Sequence, residues 1–316
     1  MHQYENTPQG RVLRELVARM HSDNLIGRRL KSGELRKKLA EPEWKVPNGY
    51  SLSVIEQKDF SMELLEPDVS SDRMVILQLH GGGYVGKMIN IYRSFAGFYS
   101  ELGHGIPVLT PDYRVAPEEP YPAALQDAVR AYDWLLENHW TEERIVLAGD
   151  SAGGGLVMAL CMYLKDRKRP LPAGIVAMSP WTDLSLSGES YHTNYTIDPV
   201  FGNTKDSLIY NKDYVGEEDT TNPYISPLYG NFTDFPPILI QVGSYEMLLS
   251  DSELVAEKAK AAGTKVRLSV YEGMFHVFQM SLLMIPESRT AWREVGKFLD
   301  VIQEYHEEHH HFDLDA

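Results

Sequence analysis

Apolar strand-like runs alternate with helix-like segments along most of this chain, and this alternation limits its fold most strongly. Residues 74–80 and 237–242 are apolar almost throughout, which is typical of strands buried on both faces of a parallel sheet. Strands that alternate with helices form a mostly parallel sheet with helices on both faces. The sequence therefore predicts an α/β fold.

The hydrophobic period places the individual elements. The predicted strands are residues 51–57, 60–65, 74–80, 107–110, 144–148, 174–179, 237–242 and 265–271. The predicted helices are residues 90–103, 122–138, 152–165, 251–262 and 287–303. Residues 8–40 also look helical, with an apolar stripe at Val12, Leu13, Leu16, Val17 and Met20.

One polar segment breaks the alternation and divides the predicted core. Residues 185–222 are rich in Ser, Tyr, Asn, Asp and Thr, with one short helix expected at 205–214. We predict that this insertion and the N-terminal helices form a cap over the sheet. The predicted domains are N-terminal cap helices 1–48, a core of 49–184 and 223–305, a cap insertion 185–222 and an acidic tail 306–316.

Composition limits the classes of binding partner that this chain can have. The chain of 316 residues has a net charge of −15, which disfavours binding to nucleic acid and to anionic membranes. It has no apolar run near the roughly 18 residues of a membrane span. Cys161 is its only cysteine, and the first residues lack the pattern of a signal peptide. We therefore expect a cytoplasmic protein with no nucleic-acid or membrane partner.

The segment Gly149–Gly155, GDSAGGG, joins a predicted strand to a predicted helix. Such a junction can cradle a phosphate on backbone N–H groups or hold a serine as a nucleophile. The phosphate interpretation is weak because the dinucleotide and P-loop spacings are both absent from this segment. The nucleophile interpretation places Ser151 on a tight turn at the carboxyl end of the sheet, where ligands bind.

An acyl-transfer serine also needs donors for an oxyanion, and His80–Tyr84, HGGGY, follows a predicted strand directly. Three consecutive glycines allow neighbouring N–H groups to point at one anion. Taken alone, this loop is better explained as a mobile glycine hinge. Together with Ser151 downstream it favours an oxyanion hole.

A base and an acid follow the last predicted strands. His276 lies after the last predicted strand and is the candidate base. Glu246, Asp251 and Glu253 follow the preceding strand and are candidates for the acid that orients the histidine. Glu246 lies just past the strand end, whereas Asp251 fits the N-cap of the next helix. Glu246 is therefore favoured, and the order serine, acid, histidine is that of α/β-hydrolases.

Five motifs, HGGG, DYRVAPEEPYPAALQDA, GDSAGG, ISPLYG and FHVF, together resemble the hormone-sensitive-lipase-like family of bacterial esterases, from about Met74 to the final helix. The resemblance implies an α/β-hydrolase core with a helical cap that is built from the N-terminus and from an insertion after the sixth core strand. It implies oxyanion donors from the backbone of Gly82, Gly83 and Ala152, no metal or organic cofactor, and a small-molecule ester substrate. It also allows a homodimer through the last strand and helix.

The chain departs from the family pattern at the acid. The family usually has Asp-Pro-Leu where this chain has Glu246-Met247-Leu248, and related members look similar with Glu in that role. Glu246 lies 30 residues before His276, a spacing that suits the family. Asp251 lies closer to His276 in sequence, and its spacing does not suit the family.

The same resemblance assigns structural roles to His80 and Asp150, whose counterparts hold loops in place. Asp112, Tyr113 and Arg114 likewise look like buried polar scaffolding. We expect Tyr84 to shape the wall of the substrate pocket. The cap aromatic residues face either the pocket, the solvent or the cap interior; they are Tyr191, Tyr195, Phe201, Tyr210 and Tyr214.

Four activities are compatible with these residues. The favoured one is hydrolysis of short-to-medium acyl esters. The same triad could cleave an amide or carbamate instead. A binding module is disfavoured because plant gibberellin receptors, which resemble this fold, have lost the histidine that this chain keeps as His276. A long-chain lipase is disfavoured by the charged composition and the lack of an interfacial helix.

Overall fold

The computed structural model describes residues 1–21, 41–71, 73–202 and 212–308, and the strands of these ranges form one nine-stranded sheet. The strands are β1 His2–Tyr4, β2 Tyr50–Glu56, β3 Ser61–Pro67, β4 Val75–Leu79, β5 Val108–Asp112, β6 Ile145–Asp150, β7 Gly174–Met178, β8 Ile238–Gly243 and β9 Val266–Tyr271. Their order across the sheet is β1-β9-β8-β7-β6-β4-β5-β3-β2. All neighbours are parallel except the pairs β2–β3 and β3–β5.

Helices cover both faces of this sheet. They are α1 Pro8–His21, α2 Asn90–Leu102, α3 Ala123–Glu137, α4 Ala152–Asp166, α5 Ser190–Thr193, α6 Lys212–Val215, α7 Leu249–Ala261 and α8 Pro286–Glu308. The predictions for residues 22–40, for most of the helix 205–214 and for the end of the tail, 309–316, fall outside the described residues.

Strand β4 shows how the sheet builds two cores. Val75 and Leu77 belong to one buried cluster, which includes residues of α3, α4 and α7. Ile76 belongs to the other, which includes residues of α2 and α8. Side chains along a strand point alternately to opposite faces, so an all-apolar strand fills both cores. The predicted α/β core is confirmed.

Strand β1 was not predicted. His2–Tyr4 pairs in parallel with Ser269–Tyr271 of β9, and Tyr4 stacks on Tyr271 with ring centroids 4.5 Å apart. The first residues therefore belong to the sheet rather than to the predicted cap region 1–48. Because β9 is paired on both sides, a dimer through that edge of the sheet would have to form on β1.

Helix α1 uses only part of its apolar stripe in packing. Leu13 and Val17 pack against the cluster around Tyr271 and Phe278. The other three apolar residues of the stripe are largely exposed: Val12, Leu16 and Met20. None of the described helices combines the length and apolar composition needed to cross a membrane.

The strand order brings the predicted functional loops together. Strand β4 lies between β6 and β5, so the chain leaves β4 toward one edge of the sheet and later returns to its other side. Such a switch in strand order opens a crevice at the carboxyl ends of the strands, where ligands bind in open α/β sheets. The HGGG loop follows β4 and the GDSAGGG turn follows β6, so both flank this crevice.

Candidate active site

Ser151 occupies a strained turn between β6 and α4. Its backbone has φ 51° and ψ −121°, an arrangement that residues with a side chain rarely adopt. A Cβ atom at Gly149 would collide with the carbonyl group of Gly153, and one at Gly153 would collide with the Leu79 carbonyl oxygen. Glycine is therefore required on both sides of the serine, because the helix passes so close to the sheet.

The structure brings Ser151, His276 and Glu246 into one hydrogen-bonded chain. His276 Nε2 lies 2.9 Å from Ser151 Oγ, and His276 Nδ1 lies 2.9 Å from Glu246 Oε2. The histidine and the serine are 9% and 8% exposed, and the glutamate is fully buried. These residues follow β9, β6 and β8, whose carboxyl ends lie at the same edge of the sheet.

The second oxygen of Glu246 is also fixed. Glu246 Oε1 accepts hydrogen bonds from Ser179 Oγ at 2.7 Å and from Gly243 N–H at 2.6 Å. Ser179 Oγ in turn accepts a bond from Val277 N–H at 3.1 Å. Ser179 therefore links the glutamate to the residue after the histidine. Sequence reasoning did not single out Ser179, although its position directly after β7, at the same sheet edge, was an available signal.

Asp251, the alternative acid, lies in another network. Its Oδ2 accepts hydrogen bonds from the N–H groups of Thr182 and Asp183 at 2.7 and 2.8 Å. The predicted N-cap role is wrong, because α7 already begins at Leu249 and Asp251 lies in its first turn. Burial raises the pKa of Asp251 to about 8. The structure thus gives the histidine contact to Glu246.

The HGGG loop is anchored to the nucleophile turn. Gly81 N–H donates to Asp150 Oδ1 at 3.1 Å, and His80 stacks on Tyr113 with ring centroids 4.1 Å apart. Gly82 and Gly83 have φ values of +110° and +64°, a region that favours glycine. The loop therefore folds back sharply beside Ser151.

Three backbone N–H groups at this edge have no acceptor in the part of the chain that the structure describes. Among the described residues, no oxygen accepts a hydrogen bond from the N–H of Gly82, Gly83 or Ala152. Ala152 begins helix α4, and the first N–H groups of a helix have no partner within it. The helix dipole also favours a negative charge at this end.

His80 and Asp150 are buried beside this loop and do not contact the His276 ring by hydrogen bonds. Burial lowers the pKa of His80. Burial raises the pKa of Asp150 to about 7, against the opposing effects of His276 and the Gly81 N–H. Their contacts are those of residues that hold the loop.

Tyr84, the predicted pocket residue, is 1% exposed. Its ring stacks on Tyr214 of α6 with centroids 3.8 Å apart, so it joins the HGGG loop to the segment 185–222 that was predicted as a cap insertion. Among the other cap aromatic residues, Tyr191 is buried and Phe201 lies against the His276 ring at 4.6 Å. Tyr210 falls outside the described residues.

Within the part of the chain that the structure describes, no group of three or more His, Cys, Asp or Glu side chains is placed to hold a metal ion. The titratable groups at the sheet edge instead contact one another or backbone N–H groups, as described above.

Comparison with known proteins shows the family to which this fold belongs. A family model of the alpha/beta hydrolase fold matches residues 76–280. A crystal structure of an esterase from the bacterial hormone-sensitive lipase family superposes with a TM-score of 0.78 at 33% identity, covering 93% of this chain and 98% of that one. The chain belongs to the hormone-sensitive-lipase-like family of carboxylic ester hydrolases.

Other members of this esterase family are similar over most of the chain. An acetyl-hydrolase of Streptomyces hygroscopicus is 40% identical over 228 residues, which are 72% of this chain and 76% of the relative. An esterase of Acinetobacter venetianus is 33% identical over 231 residues, or 72% of this chain and 75% of the relative. A crystal structure of EstE5 soaked with p-nitrophenyl butyrate superposes with a TM-score of 0.83 at 32% identity, over 95% of this chain and 100% of that one.

Proposed function

We propose that this chain hydrolyses carboxylic esters with short-to-medium acyl groups through an acyl-enzyme formed on Ser151. His276 is the proposed base, Glu246 the acid that orients it, and the N–H groups of Gly82, Gly83 and Ala152 the proposed oxyanion hole. The observation that carries the proposal is the hydrogen-bonded chain from Ser151 through His276 to Glu246, with 2.9 Å at each step.

Acylation begins when Ser151 Oγ attacks the ester carbonyl carbon. The hydroxyl proton moves to His276 Nε2, which already lies within hydrogen-bond distance of that oxygen. Glu246 holds the Nδ1 side of the ring and stabilises the positive charge that forms there. The tetrahedral oxyanion accepts hydrogen bonds from the unpaired backbone N–H groups, each worth about 3 kcal/mol in sites of this kind. The C–O bond then breaks, and the alcohol leaves with the proton from His276.

Deacylation repeats these steps with water. A water molecule attacks the acyl carbon while its proton moves to His276 Nε2. The Ser151 Oγ–C bond breaks, the serine takes the proton back, and the carboxylic acid leaves. The same residues therefore serve both halves of the reaction.

The proposed chain length is supported by proteins that this chain resembles. One relative is named an acetyl-hydrolase, and one structural neighbour was soaked with p-nitrophenyl butyrate. Both names refer to acyl groups of two to four carbons.

Hydrolysis of p-nitrophenyl esters from acetate to palmitate, by wild type and by Ser151→Ala, tests the proposal. We expect the rate to be highest with short chains and to fall at least about 10⁴-fold in Ser151→Ala. An organophosphonate should label wild type but not the variant. Labelling without ester turnover would point to an amide or carbamate substrate. Neither labelling nor turnover would contradict the proposal and favour a binding module.

A further inference from the structure

The loop that carries Glu246 is held by side chains of the cap insertion (residues 185–222). Asn194 Nδ2 donates to the carbonyl oxygens of Ser244 and Glu246 at 3.0 and 2.7 Å. Ser190 Oγ donates to the Met247 carbonyl oxygen at 2.6 Å. These cap residues therefore contact the peptide groups on both sides of the glutamate.

Asp198 adds a buried carboxyl group to these contacts. Its Oδ2 accepts a hydrogen bond from Met247 N–H at 2.7 Å, directly after Glu246. Its Oδ1 accepts bonds from the N–H groups of Val200 and Phe201 at 2.8 and 3.0 Å. The side chain is only 4% exposed, and burial raises the pKa of its carboxyl, an effect that the N–H groups of Met247, Phe201 and Val200 oppose.

The Asp198 side chain thus accepts hydrogen bonds from two segments that carry contacts to His276. Through Met247 it holds the segment of Glu246, which contacts His276 Nδ1. Through the Phe201 N–H it holds the residue whose ring centroid lies 4.6 Å from the centroid of the imidazole. Asp198 makes no hydrogen bond to Ser151 or His276, although His276 is near enough to lower the pKa of the carboxyl by its charge. The hydrogen bonds of Asp198 therefore act on the triad through its neighbours.

We infer that Asp198 is a positioning residue for the triad, and that with Asn194 it makes the cap insertion part of the catalytic framework. This inference rests on the proposed roles of Glu246 and His276. Since an error of about 1 Å in a supporting residue can cost about 100-fold in rate, loosening this carboxylate should lower kcat without a matching change in KM.

Asp198→Asn is the suitable variant because it keeps the shape and one acceptor oxygen. The amide can still accept from Val200 and Phe201, but it then presents an N–H₂ group to the Met247 N–H, and two donors cannot bond. We expect kcat for p-nitrophenyl butyrate to fall about 10- to 100-fold, with KM changed less than about threefold. Active sites are counted by organophosphonate titration so that kcat refers to folded enzyme.

The Glu246→Gln background shows whether Asp198 acts through the glutamate. If it does, adding Asp198→Asn to Glu246→Gln lowers kcat by no more than about twofold, because the group being positioned is already lost. The same fold-loss in both backgrounds would overturn the inference. A normal kcat in Glu246→Gln alone would overturn both the acid assignment and the positioning role, whereas an inactive Ser151→Ala would still support the esterase mechanism.

Asp183→Asn is the matched control. Asp183 is also a buried carboxylate, in the segment that leads into the cap insertion, and it accepts from Ser185 and Ser187 N–H groups. It makes no hydrogen bond to the Glu246 loop, so we expect a lower thermal midpoint but an unchanged kcat. An equal loss of kcat in this control would overturn the inference, because it would show that weakening any buried carboxylate in this region lowers kcat.

Asn194→Leu provides an independent test should Asp198→Asn fail to fold. It removes the two donors to Ser244 and Glu246 while keeping the branching and the number of heavy atoms of the side chain. We expect the same loss of kcat, and again no further loss when Glu246 is already Gln. A wild-type kcat in Asn194→Leu would contradict the framework role of the cap.

Discussion

The nucleophile and the acid of the proposed triad are held in place by different means. Ser151 is fixed by close backbone contacts, since Gly149 and Gly153 approach neighbouring carbonyl groups too closely for any side chain. Glu246 is instead fixed by polar side chains, above all Ser179 and the cap residue Asn194. One half of the site is built by packing and the other by hydrogen bonds.

This difference explains how each half responds to change. Backbone packing at the sheet edge is all-or-none, because an added methyl group has no space to occupy. A set of hydrogen bonds can be weakened one bond at a time. We therefore expect substitutions in the serine half to abolish folding or activity, and those in the acid half to give graded losses.

Gly153→Ala should give the largest effect. The new Cβ would collide with the carbonyl oxygens of Leu79 and His80, so we expect a loss of about 3 kcal/mol or more in the free energy of unfolding. Gly97→Ala in helix α2 is the matched control, because a Cβ there meets no atom within 4 Å, and it should be stabilised by about 0.5–1 kcal/mol. Urea unfolding measures both. Equal stability of the two variants would contradict the packing argument.

Glu246→Gln should lower kcat by about 10²- to 10⁴-fold. The amide cannot accept both of the bonds that Ser179 and Gly243 donate and also hold the His276 N–H. Asp251→Asn is the comparison, and we expect its kcat to stay within about threefold of wild type. Steady-state hydrolysis of p-nitrophenyl butyrate measures both values. The reverse result would assign the acid to Asp251.

Ser179→Ala should give an intermediate effect. It removes one donor to Glu246 and leaves the Val277 N–H without its acceptor. We expect kcat to fall about tenfold and the free energy of unfolding to fall by about 1–3 kcal/mol. Ser179→Cys retains a weak donor and should recover part of the rate. A kcat equal to wild type in Ser179→Ala would show that Gly243 N–H alone positions the carboxylate.

The smallest expected effect is on the pH dependence of folding stability. Burial raises the pKa values of Asp150 and Asp251 to about 7 and about 8, from 3.8. Between about pH 4 and these values the native state keeps protons that the unfolded chain has released. The stability that these protons contribute is therefore complete below about pH 4 and is lost as the pH rises toward 8.

Asp251→Asn tests whether stability falls with rising pH for this reason, because the amide stays neutral and can still accept hydrogen bonds from the Thr182 and Asp183 N–H groups. Its thermal midpoint should fall less than that of wild type between about pH 5 and pH 8. The control is Asp219→Asn at an exposed site, where a hydrogen bond from Thr221 N–H lowers the pKa of the carboxyl out of this range. Identical slopes in all three proteins would refute the role of Asp251.

The local parts of this protein were predictable from its sequence. The alternation of apolar runs predicted the α/β core. The GDSAGGG and HGGG motifs predicted the serine turn and the glycine loop, which follow the neighbouring strands β6 and β4. Both loops are continuous in sequence, and each glycine is required by its own backbone conformation or by a close approach. Strand β1 escaped prediction because three mostly polar residues become a strand only by pairing with β9.

The sequence by itself determined the fold, the serine turn and the set of candidate acids. The sequence favoured Glu246 over Asp251, but only the tertiary structure placed Glu246 beside His276 and brought Ser179, Asn194 and Asp198 to the acid loop, from positions 48 to 67 residues away. The physical reason is that a tight turn depends on adjacent residues and so leaves a motif. A hydrogen bond between two loops depends on how the strands between them are ordered, which no short motif records.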